Sequence, residues 1–460
     1  MRLVCLLLLA SFPLTAEGQA VPPTSAVPLR WPGFLGAGHS AIDPASIPLV
    51  WSPTQNVAWR AKLPGYGQSS PVIWGDTVYV TSVEGPLKDH LLVTACSLTE
   101  GTVRWTHTTP TSDPVENGTF VSRAAPTPVV DEQGVYAFFE SGDVVALTHD
   151  GKSRWSSSLS AKYGKFENTY GLAASPVLHG NRLFLLIDHP GPSYVMALQR
   201  ETGVERWRIT RTSRGSWTSP LLMQIAGRPQ LVCSSAGTVD GYDVEDGQLL
   251  WSHTGIGGNR ICSPTIAGEG TLLIGSQTSR EFADTESVKK ANMALKVTFR
   301  DSVWSTEVAW RSEDAVPGMA SPIAHHDCAY WINRSGVITC LDATTGRVHY
   351  TERTAQSCWA TPVGLGDRVY FFGKDGLTSV IAAGPEFKLL AENRVWNPES
   401  VKPDQSIIDR EADPKRKAGA AMHALPEIYG VAVISGSLLI RTGTDLYCVR
   451  QEPAAETKSE

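Results

Sequence analysis

Residues 219–251 read SPLLMQIAGRPQLVCSSAGTVDGYDVEDGQLLW, and the reading of this stretch decides the fold. It opens on Ser219-Pro220, passes through an apolar run, and turns at Ser235-Ala236-Gly237. It then alternates through TVDGYDV, turns again at Glu245-Asp246-Gly247, and closes on Trp251. Tight turns between short β-prone runs predict three or four strands and no helix. Residues 175–207 follow the same order, with LHGNRLFLLID, VMAL, ETG and VERW. A recurring unit of this length must be counted first, because repeats that cannot bury their faces alone have to stack.

Seven copies open with Ser/Thr-Pro, at Pro71, Pro128, Pro176, Pro220, Pro264, Pro322 and Pro362. An eighth begins near Tyr429, with Val433 read at the proline position, and stops before any closing aromatic. The closing signature is a turn glycine with an aromatic four residues later: Gly101/Trp105, Gly151/Trp155, Gly203/Trp207, Gly247/Trp251 and Gly346/Tyr350. Glycine supplies the positive φ of the turn, and the aromatic is placed to cover the junction with the next sheet. Two copies depart from the rule: the fifth ends on Trp310 after the irregular VTFRDSVWSTEVAW, and the seventh has lost its closing aromatic, with Lys388 four residues after Gly384. The missing last strand of the eighth copy has a donor in residues 56–61, NVAWRA, which read as a closing strand with no repeat before them. The expectation is an all-β fold, an eight-bladed β-propeller of four-stranded antiparallel blades. Its ring is closed by an N-terminal strand pairing with the C-terminal blade, which leaves no free sheet edge.

With 460 residues, 42% of them hydrophobic, and 14 Trp, 41 Gly and 30 Pro, the chain has material for a large core and many turns. A net charge of -6 gives no electrostatic footprint for nucleic acid. Met1-Arg2 precedes the apolar run LVCLLLLASFPL and the small residues Ala16, Gly18 and Ala20, so residues 1–20 read as a secretory signal. That implies export to the periplasm or beyond. The run is too short to span a bilayer, and a monomer is expected. Residues 21–56 read as an extended strap anchored by Trp31, Phe34 and Trp51, and residues 57–450 as the propeller. Insertions are expected at 279–292, protruding, and at 397–426, draped on a face or partly disordered; 451–460 reads as a disordered tail. Seven cysteines follow the signal. Cys96, Cys340 and Cys448 are read at the repeat position of Ala146 and Ala197, as small buried residues, while Cys262 and Cys358 lie beside Ser/Thr-Pro openings. An odd number scattered over the blades makes no disulfide framework.

The segments SSPVIWGDTVYVTS (69–82), AASPVLHGNRLFLLID (173–188) and LDATTGRVHY (341–350) resemble the pyrroloquinoline quinone (PQQ)-like repeat superfamily of β-propellers, and the likeness runs over residues 56–450. Two groups share that repeat: quinoprotein alcohol dehydrogenases, and non-catalytic envelope proteins similar to the propeller lipoprotein of the outer-membrane barrel-assembly machinery. The opening WPGFLG followed by NVAWRAKLPG looks like a further set of secreted bacterial propellers. Resemblance to the dehydrogenases implies a vicinal Cys-Cys bridge, a Glu/Asn/Asp set holding calcium and an Asp base. This chain has no Cys-Cys pair, and the other members of the set are not recognisable in it. The sequence therefore reads as an exported non-enzymatic binding or scaffold protein of the periplasm or cell envelope, with no catalytic residues, metal site or cofactor expected. The alternative is a PQQ-dependent alcohol or sugar dehydrogenase using PQQ with calcium in an atypical channel site. The expected partner is an envelope or secreted protein, or a small ligand at the channel mouth.

The residues just ahead of each Ser/Thr-Pro enter the innermost strand and are expected to line one mouth of the channel. They are Gln68, Arg123, Tyr170, Trp217, Asn259, Arg260, Met319, Trp359 and Tyr429. Trp217 and Trp359 share one offset in WTSP and WATP, which suits a flat surface for a ring or a sugar, or equally a plug for a wide channel. Arg123 and Arg260 would favour an anion, unless carboxylates pair with them. His325-His326-Asp327 falls in a turn, where adjacent histidines do not converge on a metal.

Overall fold

The structure, a computed structural model, describes residues 29–38, 46–277, 285–354, 356–411 and 413–451. The secretory signal read at 1–20 and the last nine residues lie outside the described residues. Eight antiparallel sheets follow one another around a ring. The stretch that opened the sequence reading is blade four, with strands Leu221–Ile225, Arg228–Ser235, Gly237–Asp243 and Leu249–Ile256 hydrogen-bonded in sequence order. Its second and third strands are buried and its fourth alternates, as a blade sandwiched between neighbours and wet only at its outer edge requires.

The glycine-to-aromatic spacing acts across the blade junction. In blade three, Gly203 has φ +71, and a Cβ added there would lie 2.5 Å from the ring of Trp155, the closing tryptophan of blade two. The Trp155 indole N–H donates to the Arg200 carbonyl of the same turn, at 2.9 Å. Blade three thus receives its neighbour's indole under its own turn and passes its own indole, Trp207, on to blade four. Trp59, Trp105, Trp207 and Trp310 repeat the contact under Gly101, Gly151, Gly247 and Gly346, donating to Leu98, His149, Val244 and Ala343. The irregular copies break the chain of indoles. The fifth turn carries Asp301-Ser302, so Trp251 stays over its own blade, bonded to Gln230 Oε1 at 2.6 Å, above the space left by Gly241. Tyr350 meets Phe387 edge-on instead.

Val57–Lys62 pairs antiparallel with Asp445–Val449, placing Trp59 opposite Cys448, so the N-terminal segment completes blade eight and shuts the ring. Arg441 locks the same seam. It is fully buried, and its guanidinium donates to the Ser69 and Thr81 carbonyls and to the Ser69 and Ser82 hydroxyls of blade one. The strap enters the ring as well as covering it: Arg30–Trp31 adds a fifth strand to the inner edge of blade one, opposite Ile73 and Trp74. Further along, Trp51 is buried, stacks on Tyr370 and donates its backbone N–H to Asn393.

Three details of the sequence reading are corrected. The pairing of Ile434 with Ser437 and of Trp74 with Thr77 puts Val431, not Val433, at the proline position of blade eight, with Gly430 standing for the serine. Trp105 faces Ala95 as Trp155 faces Ala146, so Ala95 rather than Cys96 holds the small-residue position; the turn of blade two is one residue shorter, which displaced the count. All seven described cysteines are nevertheless buried and free. The long insertion is draped on a face, one of the two arrangements expected, and carries helices Gln405–Arg410 and Pro414–Met422, the second capped by Asp413. The end of the insertion in blade five does not protrude: Val288 and Asn292 are buried, and Asn292 bonds Ser276 in both directions.

Replacing Trp207, which is 8% exposed, by Ala should lower stability by about 3 kcal/mol. Gly247→Ala, which drives a Cβ into the same ring, should also destabilise. Both are read as shifts of the urea unfolding midpoint. A change under about 0.5 kcal/mol in both would mean that the indole contact does not hold the blades.

Candidate functional site

At the centre of the ring the inner strands enclose a cavity of about 880 Å³. Its waist is built from the residues that mark the repeats. The backbone N–H of each serine or threonine before the proline donates to the hydroxyl of its counterpart in the next blade: Ser70 to Thr127, Thr127 to Ser175, Ser175 to Ser219, Ser219 to Ser263, Ser263 to Ser321 and Ser321 to Thr361. The distances run from 2.9 to 3.3 Å. Proline follows at each of these positions because it fixes φ and has no N–H to satisfy inside the ring. The series stops at Gly430, where a Cβ would lie 2.2 Å from the Ser70 hydroxyl. All seven hydroxyl residues line the cavity.

Above this waist the loops that enter the inner strands are laced into a collar. Gln68 and Arg123 bond reciprocally, the Gln68 N–H donating to the Arg123 carbonyl at 3.0 Å and the Arg123 N–H to Gln68 Oε1 at 2.9 Å. The Ser122 N–H reaches the Tyr170 carbonyl, and the Trp217 N–H the Arg260 carbonyl, both at 2.7 Å. The Trp217 indole donates to the Gly171 carbonyl at 2.8 Å, and Tyr170 meets the ring at 61°. Trp217 is thereby fixed from both its backbone and its ring. Gln68, Tyr170, Trp217, Arg260, Met319, Trp359 and Tyr429 line the cavity. Arg123 and Asn259 stand behind them. Arg123 is buried with its guanidinium 3.4 Å from the Tyr66 ring centroid, and Asn259 spends its amide on Ser234, Ser235 and Thr238. At the far end of the inner strands, Trp31, Phe34 and Leu35 of the strap enter the wall.

What covers the mouth is left open by the sequence, which places the 397–426 insertion on no particular face. The helical insertion between blades seven and eight lies on Phe120, a residue of the loop between blades one and two. Ile407, Ala420 and Ala424 pack with Phe120, and the Arg416 guanidinium sits 4.7 Å over its ring. His423 ends the helix and touches both Phe120 and Trp359 edge-on, at 5.6 and 5.9 Å. Behind it, buried Glu427 accepts from His423 Nδ1 and from the Tyr429 hydroxyl, each at 2.9 Å, and Tyr66 meets Tyr429 at 2.7 Å. A carboxylate can only accept, so the imidazole hydrogen sits on Nδ1 and Tyr66 donates to Tyr429. Burial pushes both phenols above their ordinary pKa, which already leaves them protonated donors at neutral pH. The one trace in the sequence is the four-residue spacing of His423 and Glu427.

The other expectation about chemistry concerned His325-His326-Asp327. His326 and Asp327 form a left-handed turn, and His325 Nε2 bonds the Gly366 carbonyl at 2.7 Å in the next blade. Among the described residues no cluster of three or more His, Cys, Asp or Glu is arranged to hold a metal ion. The described lining of the cavity contains no carboxylate.

A ring of eight blades around a lumen whose lining comes from the strand-entry loops defines a β-propeller built to present a central site and one loop-rich face. The chain belongs to the PQQ-like propeller family whose model is described as outer membrane protein assembly factor BamB; the model matches residues 49–191 and 166–283, which together span 235 of the 460 residues. Among solved structures, BamB from Moraxella catarrhalis is 14% identical with a TM-score of 0.57, over 87% of this chain and 98% of that one. Quinohemoprotein alcohol dehydrogenase from Comamonas testosteroni is 11% identical with a TM-score of 0.58, over 94% of this chain and 82% of that one. The computationally designed Ika8 protein is 12% identical with a TM-score of 0.52, over 85% of this chain and 98% of that one. At these identities the likeness shows the fold alone. No curated protein sequence matches the chain significantly.

Ser219→Ala should cost about 1–2 kcal/mol, because the buried Ser175 N–H loses its acceptor, and Ser219→Thr should restore most of it. Denaturation midpoints of the two variants check this. Equal stability of Ser219→Ala and the parent would mean that the hydroxyl ring does not hold the waist.

Proposed function

We propose that this chain is an exported, non-enzymatic propeller that works as a binding or scaffold protein of the cell envelope, taking its partner at the loop face around the lumen. The observation that carries the reading is the chemistry of the lining. Six of its seven waist hydroxyls are engaged as acceptors, Trp217 is fixed as a surface, and no carboxylate faces the lumen among the described residues. A family named for an outer membrane assembly factor supports an envelope location and a partner that is itself a protein. Among the described residues no helix is long and apolar enough to cross a membrane.

The quinoprotein alternative can be weighed on the same residues. Calcium takes about six to eight oxygen ligands, carboxylates prominent among them, and polarises the quinone when bound. The lumen offers hydroxyls and the amides of Gln68 and Gln277, and the chain has no adjacent cysteine pair. These residues do not fit a calcium-held quinone.

Titration of the mature protein with PQQ, with and without calcium, tests the reading through tryptophan fluorescence and dye-linked oxidation of ethanol and glucose. The expected result is neither calcium-dependent quenching nor dye reduction. Saturable calcium-dependent quenching that disappears in Trp217→Ala and Trp359→Ala would replace the binding role with an oxidoreductase.

A further inference from the structure

Resting on the reading of the chain as a binding protein, we propose that the lumen is a cup for a small uncharged saccharide. Sugar rings would lie on Trp217 and Trp359, and sugar oxygens on the hydroxyl waist. A saccharide alternates flat C–H faces with hydroxyls, and the lining alternates in the same way. Trp217, Tyr170, Trp359 and Tyr429 supply ring surface around the mouth, with the Trp217 ring already locked by its bond to Gly171. Trp217 enters blade four and Trp359 blade seven, so the two indoles face the lumen from well-separated parts of the ring. Below them, each of the seven waist residues lines the lumen, and among the described residues none of their O–H groups has a protein acceptor. A ring of hydroxyl residues that line one space with their donor hydrogens unspent is complementary to a ligand rich in oxygen acceptors.

Other ligand chemistries fit less well. A cation finds no carboxylate in the described lining; of the lining guanidiniums, Arg334 holds Gln277 Oε1 at 3.0 Å and Arg260 is also engaged, so an anion would compete with contacts already made. A wholly apolar ligand would strip water from the waist hydroxyls and return no hydrogen bonds, at about 1–3 kcal/mol for each group left unsatisfied. The cavity, about 880 Å³, falls in the upper part of the range of roughly 300–1,000 Å³ found for small-molecule sites, enough for an oligosaccharide of a few rings. Entry is by the mouth that the Phe120, His423 and Trp359 contacts cover, beside the half-exposed Tyr170.

Isothermal titration calorimetry of the full mature chain with maltotriose, cellotriose and chitotriose, one at a time, tests the inference, together with saturation-transfer NMR on the sugar C–H protons. At least one should bind saturably at one site per chain, with saturation strongest on its ring C–H protons. Affinity should fall by about tenfold or more in Trp217→Leu and Trp359→Leu, which keep apolar bulk in case alanine unfolds the collar, and should be unchanged in Trp304→Ala on the outer hairpin of blade five. No saturable heat and no saturation transfer with all three sugars would overturn the proposal, as would binding that survives both lumen substitutions. Failure with sugars while PQQ is also ignored brings down this inference alone, whereas calcium-dependent PQQ binding brings down the binding-protein reading beneath it.

Discussion

The indole packed under its neighbour's glycine turn is the contact on which the ring depends. A blade is a small sheet with two apolar faces and cannot stand alone, so its stability lies in the junctions. At five junctions the same device recurs: a tryptophan ring fills the space that a side chain on the turn glycine would need, and its N–H satisfies a carbonyl of that turn. One residue pair therefore fixes the spacing between sheets and removes a buried polar group that would otherwise be costly. Where the glycine is absent, as in the fifth blade, the neighbouring tryptophan turns back on its own sheet and bonds Gln230.

That outer lock leaves the inner rim free to be organised by polar contacts. The Ser/Thr-Pro residues serve two purposes at once, passing a hydrogen bond from blade to blade and facing the lumen. The collar above them is tied mainly through backbone groups, so its side chains are held in place while their outer surfaces stay available. Preorganisation of this kind lowers the entropic cost of binding, and it is concentrated on one face. The same face receives the helical insertion, whose seat on Phe120 is small compared with the junctions between blades.

The lining of the candidate site was legible wherever it coincided with the repeat. The shared offset of Trp217 and Trp359 from their prolines placed both on the lumen, because a fixed distance from a structural marker is a fixed position in a blade. Asn259 and Arg260 are adjacent in sequence but divide, one into the wall and one toward the cavity; strand-like alternation explains the split, though not which residue goes where. Phe120, His423 and Glu427 could not be read, since they sit in insertions with no periodicity to count from, and their meeting joins loops about 300 residues apart. The short helices of the long insertion escaped for a related reason. Each has few turns and little amphipathic pattern, and is held by docking rather than by propensity.

By itself the sequence determined the number of blades, the order of strands, the closing role of the segment read at 56–61 and the placement of Trp217 and Trp359 on the lumen, because glycine turns, prolines and alternating apolar residues are local chemistry with a fixed period. Tertiary structure decided what the period cannot encode. It set the register that puts Val431 rather than Val433 at the eighth opening, the bond from each waist N–H to the hydroxyl of the next blade, the burial of Arg441 in the closing seam, and the seating of the insertion over the mouth. Those features depend on groups brought together from distant parts of the chain, and their partners exist only once the ring has closed.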